Sequence, residues 1–208
     1  MKLHIITKDQ LDKYNNYIGE IDLSNFDGAI KSEANLGYVK FKSIFAKYWI
    51  KFEAGSGIEA GEGIKAGWGI EAGWGIKAGS GIEAGEGIKA GEGIKAGWGI
   101  KAGWGIKAGW GIKAGWGIEA GEGIKAGSGI EAGSGIKAGW GIEAGSGIKA
   151  GSGIEAGLSI TAKFISSRLR IFAGVCIWKI PSKEEKQIKV QQLRQGEIAC
   201  GDLVIINE

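Results

Sequence analysis

The sequence predicts an all-β solenoid, a chain wound into stacked coils of parallel β-sheet, and three observations support this fold class. Isoleucine recurs at every sixth position from Ile58 to Ile160 without a slip. The chain contains 41 glycines but one proline. Within each six-residue unit, apolar and charged residues alternate as they do along a half-buried strand. Such regularity is typical of stacked identical units.

The six-residue period excludes a helical repeat. It would place successive isoleucines about 240° apart around a helix, and each of the two glycines per unit would cost roughly 1 kcal/mol there. In a strand, the isoleucine and the alanine of each unit share one face and the lysine or glutamate between them lies on the other. The Gly-x-Gly that follows supplies residues able to adopt positive φ, so we predict it to be the turn.

The sign of the charged residue in each unit predicts how many units make one coil. Every second unit carries lysine: Lys65, Lys77, Lys89, Lys101, Lys113, Lys125, Lys137 and Lys149. The intervening units carry Glu59, Glu71, Glu83, Lys95, Lys107, Glu119, Glu131, Glu143 and Glu155. Grouping by eighteen residues would mix both signs in each row, so the sequence favours a two-sheeted β-solenoid with 12-residue coils. About nine coils would give a rod roughly 43 Å long.

The AGxGI(K/E) units resemble short-coil, glycine-rich β-solenoid repeat proteins, and the resemblance covers about half of the chain. It implies a rod with capped ends. Left-handed hexapeptide acyltransferases share the period of six but use three-sided coils of eighteen residues and place the small residue differently. Their acetyl-transfer function is therefore not carried over, and the single histidine, His4, lies outside the repeat.

Three regions are predicted along the chain: an N-terminal cap with degenerate coils over 1–53, the solenoid over 54–162 and a C-terminal cap over 163–208. Caps are needed because end coils expose unpaired strand edges. Thr7 with Gln10 resembles a capping box that opens a short helix through about Asn16. Alternating apolar residues over 21–52 predict degenerate coils with larger core side chains.

The C-terminal cap is predicted to contain strands and a possible short helix. Residues 164–180 read as strand. Ser182 with Glu185 predicts a helix that ends at Gly196. Residues 198–206, around Gly201, read as a hairpin.

Composition and motifs limit the function classes. The net charge is +3, and no apolar run is long enough to span a membrane, so we expect a cytoplasmic protein by default. Cys176 and Cys200 lie far apart without CxxC spacing, so neither a metal site nor a disulfide framework is expected. We expect no cofactor and no enzyme activity, because every carboxylate in the repeat is one of a row rather than part of a localised constellation.

The lysine row is the sharpest functional feature of the sequence. Like charges side by side on a ladder destabilise it, so eight lysines in a row call for compensation. We predict a structural rod that self-associates laterally through its lysine and glutamate faces, most simply as a homodimer. Two alternatives remain open: lysines that only keep the rod soluble, and a binding module for a glycan or polyanion.

The position between the two glycines carries seven tryptophans. They are Trp68, Trp74, Trp98, Trp104, Trp110, Trp116 and Trp140. Because serine and glutamate also occupy this position, its side chain should point outward. An aromatic ladder is predicted, which either shields the edges of the rod or binds a glycan or partner.

Overall fold

The computed structural model describes residues 1–207 and confirms the predicted fold class, an all-β solenoid of parallel strands. The inward and outward faces follow the alternation of the repeat. Ile112 is 1% exposed and Ala114 is 2% exposed, whereas Lys113 between them points to solvent. The same arrangement recurs in every unit, so isoleucine and alanine fill the core of the repeat coils.

The coil contains eighteen residues, and the predicted 12-residue coil is wrong. Ile82 pairs with Ile64 in the preceding coil and with Ile100 in the following coil, each eighteen residues away. Three strands and three corners therefore make one coil, so the rod is three-sided rather than two-sheeted. The repeat makes six coils instead of nine and extends for about 29 Å.

Mixed charge signs along a row support the eighteen-residue register and do not oppose it. Opposite charges on neighbouring strands stabilise a ladder, whereas like charges destabilise it. The mixture of lysine and glutamate along each row therefore favours a register that places Lys65 beside Glu83. The coil length no longer separates this chain from the hexapeptide acyltransferases, and the shared coil length concerns the fold alone.

The glycines serve close packing of stacked corners, and the predicted turn with positive φ is wrong for all repeat glycines but Gly55. A Cβ added at Gly103 would lie 1.9 Å from the carbonyl oxygen of Gly85 in the preceding coil. No such atom fits at that distance. The amide of Gly103 in turn donates to the Ala84 carbonyl at 3.0 Å. The ladder thus continues through the corners, and at the first glycine of each corner the stacked backbones approach too closely for a side chain.

Each side of the rod is one stack of parallel strands. The first side holds Ile44–Ala46, Ile64–Ala66, Ile82–Ala84, Ile100–Ala102, Ile118–Ala120, Ile136–Ala138 and Ile154–Ala156. The second side holds Lys2–Ile6, Gly28–Ser32, Ile50–Phe52, Ile70–Ala72, Ile88–Ala90, Ile106–Ala108, Ile124–Ala126 and Ile142–Ala144. The third side holds Gly37–Phe41, Ser56–Ala60, Ile76–Ala78, Ile94–Ala96, Ile112–Ala114, Ile130–Ala132 and Gly147–Ala150.

Two long strands wrap around all three sides at the C-terminal end. Ile160–Ala173 stacks on the last repeat coil, and Gln187–Cys200 stacks on Ile160–Ala173. Asp202–Ile205 then pairs in parallel with the start of Gln187–Cys200. The predicted hairpin is therefore wrong, because the chain continues as another coil instead of reversing.

Both predicted helices shrink to single 3-10 turns, Lys8–Gln10 and Glu184–Lys186. The capping box is present at the first, where the side chain of Gln10 accepts a hydrogen bond from the Thr7 amide at 3.2 Å. The second ends before Gln187, because Ile188 and Val190 are both fully buried at strand spacing. Period-two burial in the coil overrides the helical signal of the capping residues there.

Candidate interaction faces

The outward charges form three rows, one on each side of the rod. The first-side row reads Phe45, Lys65, Glu83, Lys101, Glu119, Lys137, Glu155 and Phe172. The second-side row reads Lys31, Lys51, Glu71, Lys89, Lys107, Lys125, Glu143 and Thr161. The third-side row reads Lys40, Glu59, Lys77, Lys95, Lys113, Glu131, Lys149 and Ser166.

The predicted row of eight lysines does not exist, because its members are distributed over three sides. The predicted glutamate row is divided in the same way. Lys95 and Lys107, which broke that row in the sequence, now lie in the middle of lysine triplets on the third and second sides. Positive and negative charges therefore alternate strictly along the first side. The second and third sides each contain three consecutive lysines near the middle of the row.

Ion pairs link neighbouring coils within these rows. On the first side, Lys65 lies 3.2 Å from Glu83, and the Lys137–Glu155 pair measures 3.0 Å. Lys89–Glu71 and Lys125–Glu143 pair on the second side, and Lys113–Glu131 on the third. About half of each charged side chain stays exposed, so each pair stabilises the fold only slightly.

The seven repeat tryptophans of the predicted aromatic ladder lie outward at the corners and are divided among three corners. Trp98 and Trp116 share the corner between the third and first sides. Trp68, Trp104 and Trp140 alternate with glutamate along the corner between the first and second sides. Trp74 and Trp110 lie on the corner between the second and third sides, separated by one coil.

One pair of repeat tryptophans stacks directly. The Trp98 and Trp116 rings lie 6.1 Å apart between centroids and are inclined by 18°. Three others contact aromatic residues from the caps, in the pairs Trp68–Tyr48, Trp74–Tyr38 and Trp140–Trp178. Among the residues that the structure describes, Trp104 and Trp110 have no aromatic ring contact.

No known protein family, curated protein or solved structure matches the chain.

A shallow groove runs along each side, between the charge row and the preceding corner. The first-side groove measures about 1070 Å³ and extends from Phe45 to Phe172, with Trp98 and Trp116 on its wall. The second-side groove measures about 770 Å³ and the third-side groove about 700 Å³. The isoleucines beneath the grooves are at most 1% exposed, so the accessible apolar surface of the first-side groove comes from its glycines and from Phe45, Phe172, Trp98 and Trp116.

Other reactive groups are dispersed rather than clustered. His4 lies 2.9 Å from the Tyr17 hydroxyl, and burial lowers the pKa of the imidazole. Cys176 and Cys200 are both free thiols. Within residues 1–207 no group of three or more histidine, cysteine, aspartate or glutamate side chains could hold a metal ion. The same residues contain no helix of the length and hydropathy needed to cross a membrane.

Proposed function

We propose that the protein is a non-enzymatic structural rod that self-associates laterally, and that the first side is its contact face. One observation supports this choice. When the first-side row is reversed end to end, every charge meets its opposite. Lys65 meets Glu155, Glu83 meets Lys137, and Lys101 meets Glu119. The row is therefore complementary to an antiparallel copy of itself.

The other two sides lack this property. Reversed end to end in the same way, the second-side row places Lys89 on Lys107 at its centre, although Glu71 then meets Lys125. The third-side row likewise places Lys95 on Lys113 at its centre. Like charges facing each other across an interface disfavour association, so charge selects the first side.

The complementarity also selects the relative direction of the two rods. A two-fold axis parallel to the rod would lay lysine on lysine and glutamate on glutamate in successive coils. A two-fold axis across the rod, along the strand direction, reverses the order of the coils and keeps each corner at the same edge. The result is an isologous dimer in which the same patch of both copies is buried.

Apolar groups on the same side follow the same reversal. Phe45 and Phe172 flank the six alternating charges of the row and meet each other in the antiparallel pair. At the corner beside the charge row, Trp98 of one copy meets Trp116 of the other. The reason is that Trp98 lies in the same coil as Lys101 and Trp116 in the same coil as Glu119, the two central charges of the row. The groove supplies the apolar surface to be buried, and the charges supply the register.

The size of the face is sufficient for a specific dimer. Eight stacked strands span about 34 Å and six extended residues span at most about 20 Å. Each copy thus offers about 700 Å², or about 1,400 Å² for the pair, which lies within the range of stable interfaces. Because the ion pairs are exposed in the monomer, we expect their main contribution to be register and specificity.

The test is solution mass by light scattering on a sizing column, with charge reversal and rescue at the centre of the row. We expect a wild-type dimer. Lys101→Glu alone and Glu119→Lys alone each place like charges across the interface and should yield monomer. The double variant Lys101→Glu/Glu119→Lys restores opposite charges across the interface and should recover the dimer.

The matched control is Lys107→Glu, the same chemical change one strand along on the second side, which should leave the dimer unchanged. A wild-type monomer at every protein concentration would refute the proposal. So would a dimer that survives Lys101→Glu, or a double variant that fails to recover it while remaining folded.

A further inference from the structure

The corner opposite the first side is flanked by lysine side chains on both of its sides. In a three-sided coil this is the corner between the second and third sides. Two lysine columns flank it, and together with the exposed tryptophan on the corner they form what we name the basic ridge: Lys89, Lys107 and Lys125 on the second side, Lys77, Lys95 and Lys113 on the third side, and Trp110.

Within the described part of the chain, two lysines of the basic ridge have neither an ion pair nor an oppositely charged neighbour on their ladder. Lys95 has Lys77 and Lys113 as its ladder neighbours, and Lys107 lies between Lys89 and Lys125. The ion pairs of the described residues include neither Lys95 nor Lys107. Because like charges at ladder spacing repel each other, these two positions oppose the stability of the free rod.

The remaining lysines of the ridge are held by groups at its ends. Glu71 and Glu143 pair with the outer lysines of the second side, and Glu131 pairs with Lys113. Lys77 lies 3.9 Å above the centre of the Tyr38 ring. The two lysines with no opposite charge beside them, Lys95 and Lys107, therefore lie at the middle of the ridge.

Trp110 stands at that point on the corner itself. Its side chain is 63% exposed, and it lies three residues from Lys107 and three from Lys113 along the chain. The carboxylate nearest to it on the corner, Glu92, accepts a hydrogen bond from the Tyr38 hydroxyl at 3.1 Å. An exposed aromatic face between two basic columns offers stacking and charge neutralisation together.

We infer that the basic ridge binds single-stranded nucleic acid along the axis of the rod. Lysine columns neutralise the phosphates of a strand and an aromatic face stacks on its bases, which is the combination that holds single strands without sequence preference. The site lies opposite the first side, so an antiparallel dimer would carry two ridges on its outer surfaces. The basic ridge is therefore accessible whether or not the rod self-associates.

The test is fluorescence anisotropy of a labelled oligothymidine against the purified full chain at low and high salt. We expect binding that weakens steeply as salt rises, because bound lysines release condensed counterions. Lys95→Glu/Lys107→Glu should reduce affinity at least tenfold. Trp110→Ala should reduce it several-fold while leaving the salt slope unchanged.

The double variant should fold, because each new glutamate lies between two lysines on its ladder. The matched control, Lys13→Glu/Lys183→Glu, changes net charge equally at exposed positions near the ends of the chain and should retain affinity. Three outcomes would overturn the inference: no oligothymidine binding by the wild type, equal loss in the control, or heparin binding with no oligothymidine binding. The last would assign the ridge to sulfated glycans.

Discussion

Lys101 Nζ and Glu119 Oε2 lie 3.8 Å apart on neighbouring coils of the first side, eighteen residues apart in the chain. This contact shows that one coil contains eighteen residues. In a twelve-residue coil, Lys101 would instead lie beside Lys113. The two registers bring different residues together, and a chemical cross-link can therefore distinguish them.

Cross-linking should report the eighteen-residue register. In a background with Cys176→Ser and Cys200→Ser, Lys101→Cys/Glu119→Cys places two thiols on adjacent strands of one side. We expect rapid intramolecular cross-linking by a short thiol-specific reagent, read by mass spectrometry. The control, Lys101→Cys/Lys113→Cys, places the thiols on different sides and should react slowly. Faster reaction of the control would contradict the three-sided coil.

Equivalent substitutions at the two glycines of one corner should differ in their effect on stability. Gly103→Ala brings a Cβ to 1.9 Å from a stacked carbonyl oxygen, whereas Gly105→Ala brings one to 3.3 Å. We expect Gly103→Ala to lower the free energy of unfolding by about 1–3 kcal/mol or more. Gly105→Ala should change it by less than about 1 kcal/mol. Urea unfolding measures both, and equal losses would show that close stacking does not select glycine.

Replacement of an unpaired lysine by glutamate should stabilise the rod. Lys95→Glu converts a run of three lysines on the third side into alternating charges, and each new opposite pair contributes about 0.2–1 kcal/mol. We expect a higher urea midpoint at low salt and a smaller gain at 1 M salt, where screening is strong.

The matched control for that prediction is Lys113→Glu on the same ladder. It places the new carboxylate beside Glu131 and breaks the ion pair that Lys113 makes with that residue. We expect no gain in stability from this change. A gain of similar size in both variants would show that net charge, rather than ladder order, determines the effect.

The stacked pair Trp98 and Trp116 should give a recognisable circular dichroism signal. Two indoles 6.1 Å apart and nearly parallel couple their electronic transitions, whereas Trp104 has no aromatic ring contact in the described part of the chain. We expect Trp116→Phe to remove an exciton feature from the spectrum. Trp104→Phe should leave that feature in place, and its loss in both variants would contradict the assignment to this pair.

The repeat alone was sufficient to predict much of the fold. Alternation of isoleucine, charge and alanine determines which face of each strand is buried, and a fixed period requires that identical units stack. Both conclusions depend on local spacing, and the structure places Ile112 inward and Lys113 outward as predicted. The outward position of Trp110 followed equally from its exchange with serine and glutamate.

The tertiary structure alone decided how many units complete one coil. That number depends on how far the backbone turns at each corner, and glycine permits several angles, so no local pattern specifies it. The stacked contact of Gly103 on Gly85 closes the coil at three units, and this register assigns each charge to its side. The alternating first side and the basic ridge are therefore products of the register, because residues eighteen apart become neighbours only once the coil has closed.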